Sequence, residues 1–497
     1  MSDLPRPAAQ GASGAAASGH PLATGAALEA FAAGGGAVDA AVAAAYALCV
    51  LLPESCGLGG DALFLVREPA GALRAYNGTG SAPAGFRGRV PGDGAGTATV
   101  PGLVAALHAA HARHGAVTMP ALLAPAVRLA ADGFPAGAPL VDAAGRQRHR
   151  LARRAGDWEV PFATIEPGQL VRQPALAETI EQIGREGPPA FYSGPLAGAI
   201  AAACRADKAA MAEADLAAHT TVESEPVSIG FHGATVHAQP PVTQAILALM
   251  ALHRLEPIRD ADRALRSHAA VEALQAAFQH RDRISAPGAA EALLAIELDI
   301  DLERARRLGG PTVQSHTTAI ATADAGGTVV SMVISVFDEF GSSVLVPEGG
   351  FFLNNRMQSF SADPASPNAP GPGKRPVHTL CPMLVEGPAG ILALSTPGAD
   401  GQVQTLVQII DALLVEGVGL TAALDRRRWR AADQRLVVED GLDAEVADGL
   451  AARGHDLDWR PAGDRAFGAA VAAGLDARHG GVLAAADLRR EAWAGAR

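Results

Sequence analysis

The stretch from Thr317 to Phe337 limits the possible folds of this chain more than any other. Thr317-Thr318-Ala319-Ile320-Ala321-Thr322-Ala323-Asp324 and the arm from Thr328 to Phe337 are rich in Thr, Val and Ile. The Asp-Ala-Gly-Gly between them is turn chemistry, so the segment predicts a β-hairpin. A loop at Ala325–Gly327, with a glycine free to adopt the left-handed conformation, sets Asp324 opposite Thr328. Carried along both arms, that register places Thr317 opposite Ser335, two hydroxyls on one face of adjacent strands. Nucleophilic catalysis uses such pairs, and ordinary sheets contain them too.

At 497 residues the chain is long enough for two or three average domains or for one large α/β fold. A hydrophobic fraction of 49% with 19% charged residues excludes a disordered chain. The net charge of −12 argues against a nucleic acid or an anionic membrane as partner. Only 4% of residues are aromatic, while Ala and Gly abound, so tight packing around small side chains is expected. The amino-terminal residues lack the apolar core of a secretory signal, and the longest apolar run, Ala40 to Leu52, is too short to span a bilayer. Cys49, Cys56, Cys204 and Cys381 are scattered without metal-ligand spacing. They read as buried thiols in a reducing compartment, which predicts a cytoplasmic protein.

Residues 1–18, rich in Ala, Gly, Ser and Pro, read as a loose leader. His20–Ala33 and Val38–Leu52, apolar on nearly every face, predict helices, the second buried. Ser55-Cys56-Gly57-Leu58-Gly59-Gly60-Asp61 reads as a tight turn into a strand over 62–66, and Leu73–Tyr76 as a second strand. Helices are expected from Val100-Pro101-Gly102 through His114, and over 119–132, 176–185, 196–205, 244–255, 268–278, 289–307 and 402–414. His108, His111 and His114 recur at helical spacing, but with no carboxylate or Cys beside them they read as a polar face, not a metal site. Paired strands are expected over 227–237, and further strands near 351–355, 379–385 and 391–395. Gly309-Gly310-Pro311 predicts an exposed loop suited to processing.

Thr317-Thr318, Asp324, Gly327, Phe340-Gly341-Ser342, Leu353-Asn354-Asn355 and Lys374-Arg375-Pro376 together resemble the gamma-glutamyltranspeptidase family of N-terminal-nucleophile (Ntn) hydrolases. The likeness spans nearly the whole chain from about His20. It implies an α+β fold, a four-layer α-β-β-α sandwich of the Ntn-hydrolase type. It also implies a proenzyme cut between His316 and Thr317 into a large chain (19–316, after the leader) and a small chain (317–497) that stay together. Thr317 would then be the nucleophile, with Ser335 orienting its hydroxyl where the family usually has threonine. The family's Gly-Gly oxyanion turn matches Gly398-Ala399.

The substrate positions depart from the glutamyl-recognising pattern. The family's Asn, Gln and Asp that hold the α-amino group match Phe337, Arg356 and Ser359. Its carboxylate-binding Arg matches Thr79, and its Ser-Ser pair matches His378-Thr379. Asp400, in Asp400-Gly401-Gln402, joins Gly59-Gly60-Asp61 and Asn77-Gly78-Thr79-Gly80 as features of the branch that includes oxamate amidohydrolase. An arginine clamps a carboxylate but repels an ammonium. The implied substrate is therefore a small amide that carries a carboxylate. Neither a cofactor nor a metal is implied, and self-association into a homo-oligomer is left open. Ala319 stands where the transpeptidase signature has His. A gamma-glutamyl hydrolase or transpeptidase acting on glutathione-like amides, and an uncleaved pseudoenzyme that binds a carboxylate, are the alternatives.

Overall fold

The computed structural model describes residues 6–154, 162, 165–309, 316–477 and 480–497. Two antiparallel seven-stranded sheets face each other. The first runs in the order Trp493–Ala496, Gly14–Ser18, Thr318–Asp324, Val329–Ser335, Asp61–Arg67, Leu73–Gly78, Val222–Ser224. The second runs Ala9–Gly11, Val482–Ala486, Val471–Asp476, Gly390–Ser395, Met383–Gly387, Ala234–Ala238, Val227–Phe231.

Strand alternation builds four layers from this pair. In Thr318–Asp324 the alanines 319, 321 and 323 join Ala15, Ala17, Ala393, Ala473 and Ala484 between the sheets. Ile320, Val330, Met332 and Ile334 point the other way, onto the helices Pro21–Ala32, Ala37–Leu51, Leu103–His114 and Met119–Asp132. The outer face of the second sheet packs on Ala245–Leu255, Arg263–Phe278 and Gly401–Leu414. The result is the α-β-β-α sandwich that the resemblance implies. Every residue of the helix Ala37–Leu51 is buried, as the apolar run from Ala40 onward requires; Asp39, in its first turn, accepts the Gly36 and Ala116 N–H groups.

The hairpin has the expected register, with Thr318 opposite Ile334 and Ala323 opposite Val329. Asp324 does more than close the turn. Its Oδ1 accepts the Thr328 N–H (3.1 Å), and its Oδ2 accepts the Ala37 N–H (2.7 Å) at the start of the buried helix.

Three expectations need correction. Residues 9–18 are not a loose leader: Gly14–Ser18 is a fully buried strand paired with 320–324, and Ala9–Gly11 edges the second sheet. Small side chains that resemble a low-complexity tail are what fits between two closely packed sheets. The helix expected to reach Arg307 ends at Leu294. Beyond it the Asp301 carboxylate folds a turn by accepting the N–H groups of Glu303 and Arg304, and Glu272 accepts the Arg306 backbone and side chain. The strand expected at 351–355 shortens to Phe351–Phe352, because Asn354 spends its side chain on Thr99 and Gly59. Of the expected processing loop, residues 310–315 lie outside the described residues. Among the described residues, no helix is long and apolar enough to cross a membrane.

Candidate active site

One register row crosses the first sheet. Thr317 lies one position before its strand and so faces Ser335, Ser335 pairs with Asp61, and Asp61 continues to Thr79. Partners in antiparallel register share a face, so these side chains project together on the side that carries Ala319, toward the second sheet.

At one end of the row the Thr317 hydroxyl donates to Ser335 Oγ (3.1 Å) and also touches the carbonyl oxygen of His316. Ser335 Oγ accepts the Phe337 N–H (2.9 Å) and donates to that same His316 oxygen (3.1 Å). The Thr317 oxygen is thus held against the His316–Thr317 peptide, whose carbonyl is polarised by a hydroxyl donor. The His316 ring points at Glu339, 3.4 Å from Nδ1 to Oε1, and burial pushes it down to about 4, so the ring is neutral at pH 7. Arg146 donates to that same Oε1 of Glu339 (2.6 Å) and Gln147 to its Oε2 (2.9 Å).

The strand Gly390–Ser395 delivers the Gly398-Ala399 turn. Gly398 has φ of 130° and Ala399 a left-handed φ of 47°, a conformation that costs a β-carbon about 1 kcal/mol or more. Gln244 Nε2 donates to the Ala399 carbonyl (3.2 Å), and the helix Gly401–Leu414 starts directly after it. Among the described residues neither the Gly398 nor the Ala399 N–H has an acceptor. Pro397 of this turn lines a small cavity together with Thr317.

Further along the row, Asp61 centres a second cluster. Its carboxylate accepts Arg356 Nε (3.1 Å), His378 Nε2 (3.1 Å) and the Gly80 N–H (3.3 Å). Burial would raise the Asp61 carboxyl, but its hydrogen bond to His378 and the charge of Arg356 hold it below the usual carboxylate range. Burial and the neighbouring Arg356 push His378 down to about 4. The ring is therefore neutral at pH 7, donating from Nε2 while Nδ1 accepts the Leu380 N–H, and Arg356 alone balances the Asp61 charge. Arg356 is fully buried. Its Nη1 donates to Thr379 Oγ1 (3.2 Å), and its Cζ lies 4.4 Å from the Phe337 ring centroid. Phe337 reaches that position through a left-handed φ of 84°. Arg356 Nη2 has no hydrogen-bond partner among the described residues.

The expected site residues divide accordingly. Thr317, Ser335, Phe337, Arg356, His378 and Thr379 come together, and Gly398-Ala399 borders them. Thr79 spends its hydroxyl on Asn77 Oδ1 (2.7 Å) and turns into its own loop. Asp400 pairs with Arg281 Nε (3.5 Å), and Arg281 Nη2 also donates to Ser359 Oγ (3.2 Å). Arg356 Nε is spent on Asp61 and Nη1 contacts Thr379, which leaves Nη2 as its one nitrogen with no partner among the described residues. Asp61 and Arg281 were not among the expected site residues. Asp61 carries a signal in Gly59-Gly60-Asp61, at the start of the strand that pairs with Ser335, whereas nothing in the sequence around Arg281 marks it.

Away from this site, donor atoms of His268, Glu272 and His455 lie within 4.8 Å of one another. His268 Nδ1 faces His455 Nε2 (2.8 Å), His268 Nε2 faces the Asp301 carbonyl (2.8 Å), and Glu272 is occupied by Arg306. These donors satisfy each other and tie the 295–309 segment to its helix.

The family model for gamma-glutamyltranspeptidase matches residues 23–496. The chain belongs to the gamma-glutamyltranspeptidase family. It is accordingly an Ntn amidohydrolase or acyltransferase of the gamma-glutamyltransferase-like kind. Among its relatives, an oxamate amidohydrolase proenzyme of Klebsiella pneumoniae is 33% identical over 84% of each chain. A glutathione hydrolase-like proenzyme of Bacillus subtilis is 31% identical over 80% of this chain and 81% of its own. The crystal structure of a cephalosporin acylase from Bacillus halodurans superposes with a TM-score of 0.88 at 29% identity, covering 100% of this chain and 98% of that one. Relatives that carry the word proenzyme in their names make this a family of self-processing precursors.

Proposed function

We propose that this member of the family is an amide hydrolase that cuts its own chain between His316 and Thr317 and then uses Thr317 as nucleophile. The observation that carries the reading is the contact set at the scissile peptide: Thr317 Oγ1 against the His316 carbonyl, with Ser335 donating to the same oxygen. Attack by Oγ1 on the His316 carbonyl carbon forms an ester and releases the Thr317 nitrogen as an amine. Water then hydrolyses the ester, leaving chains 1–316 and 317–497. The freed α-amine, with a pKa near 8, takes up the hydroxyl proton in later turnovers. Gly398 and Ala399 offer unpaired N–H groups for the oxyanion of the acyl-transfer step.

The substrate is a small amide bearing a carboxylate. Support comes from the row itself: the Asp61 carboxylate is engaged by Arg356, His378 and the Gly80 N–H and so is not free to hold an ammonium, while Arg356 Nη2, without a partner among the described residues, is left to meet an anion. The reading places the enzyme in the cytoplasm, consistent with four buried free thiols. The test compares a dicarboxylic acid monoamide series, oxamate included, with a γ-glutamyl anilide, each with wild type and Thr317→Ala. Release of ammonia from the monoamides by wild type alone supports the reading. Preference for the γ-glutamyl compound would overturn the substrate class, and turnover by Thr317→Ala would overturn the nucleophile.

A further inference from the structure

Self-cleavage poses a proton problem that the mature enzyme does not have. Before the cut, the Thr317 nitrogen is an amide and cannot act as a base, so another group must take the hydroxyl proton. The cavity that Thr317 shares with Pro397 is also lined by Glu54, Arg465 and Arg490. It offers about 30 Å³ to the centre of a water molecule, and one water needs roughly 10–15 Å³ on that measure. Glu54 is 1% exposed and rigidly placed. Its carbonyl accepts the Phe340 N–H (3.1 Å) and that of Ser55 accepts the Val336 N–H (3.1 Å), stitching this loop to the residues just after Ser335. Glu54 Oε1 accepts the Ser55 hydroxyl (3.1 Å), and Oε2 is buried without a partner.

We propose that Glu54 is the proton acceptor of the self-cleavage reaction, acting on Thr317 through a water held in this cavity. The inference rests on the proposed cut before Thr317. As the Oγ1–C bond forms, the hydroxyl proton passes through the water to the Glu54 carboxylate. As the C–N bond breaks, that proton returns to the Thr317 nitrogen, which leaves as the amine. In the second step Glu54 takes a proton from the attacking water, and the Thr317 oxygen leaves the ester carrying it. The charges that face Glu54 are Arg465, Arg490 and Glu491 from the carboxy-terminal segment, and Glu339, with His316 and Arg146 against it. Burial pushes the Glu54 carboxyl up to about 7, Ser55 and Arg465 acting against it and Glu339 with it. A group poised near neutral pH both accepts and returns a proton efficiently.

The experiment follows cleavage by intact mass from pH 5 to 9 in freshly purified wild type, Glu54→Gln and Glu54→Asp, with thermal melts to compare folding. The expected result is a wild-type rate that rises with pH about a midpoint near 7, a loss of roughly 100-fold or more in Glu54→Gln, and partial activity with a shifted midpoint in Glu54→Asp. Cleavage of folded Glu54→Gln within threefold of wild type overturns the proposal. If Glu54→Gln does not fold, a flat wild-type profile across the range overturns it just as well. A wild type that stays whole at every pH overturns instead the cut before Thr317, and this role with it.

Discussion

Removing the Arg356 guanidinium by Arg356→Met strands the Asp61 carboxylate in a site where both partners are fully buried. Breaking a buried pair from one side costs about 3–5 kcal/mol. At roughly 2.1 cal/mol/K of unfolding entropy per residue, a chain of 497 residues loses about 3–5 °C of Tm by calorimetry. Replacing both partners, Asp61→Asn with Arg356→Met, removes the stranded charge and is expected to recover at least half of that loss. The pH dependence carries the same logic with a definite sign. In wild type the Asp61 carboxyl lies below its ordinary value, so its contribution is present at neutral pH and lost as pH falls through the folded pKa. In Arg356→Met the carboxyl is raised, the folded state binds the extra proton, and the deficit shrinks on acidification from pH 8 to pH 5. A double variant no more stable than the single one, or a deficit that grows on acidification, would refute the view that Arg356 is the counter-charge of Asp61.

Ser335→Ala removes the donor to the His316 carbonyl. It is expected to slow self-cleavage by about 10²–10³-fold, as loss of one oxyanion donor does elsewhere, whereas Ser335→Thr keeps the hydroxyl and most of the rate; time-resolved intact mass reads both. Ala399→Gly relieves a left-handed φ and is expected to leave Tm unchanged or slightly higher. Ala399→Val, with a branched β-carbon at that φ, is expected to lose about 2 kcal/mol by urea denaturation.

The hairpin was legible because its turn residues fix the register and the register fixes which side chains meet. The buried helix Ala37–Leu51 was legible because it is apolar on nearly every face, its one carboxylate, Asp39, being met by the Gly36 and Ala116 N–H groups. What escaped was set by distant partners. Arg356 was expected at the substrate site, but its burial against a carboxylate 295 residues away was not. The loose-leader reading failed at Gly14–Ser18 because a strand of Gly, Ala and Ser has no local signal until the opposing alanines of the second sheet are known. Arg281 and Glu54 lie on a short turn and a loop, and only the tertiary fold brings them to Asp400 and to the Thr317 cavity.

The most direct test of the account is the intact mass of purified wild type and Thr317→Ala after a day at neutral pH. The account predicts two wild-type chains, 1–316 and 317–497, the second starting with a free threonine amine, and a single uncut 50.4 kDa species for the variant. A wild type that remains one chain, or a variant cut at the same bond, would contradict it.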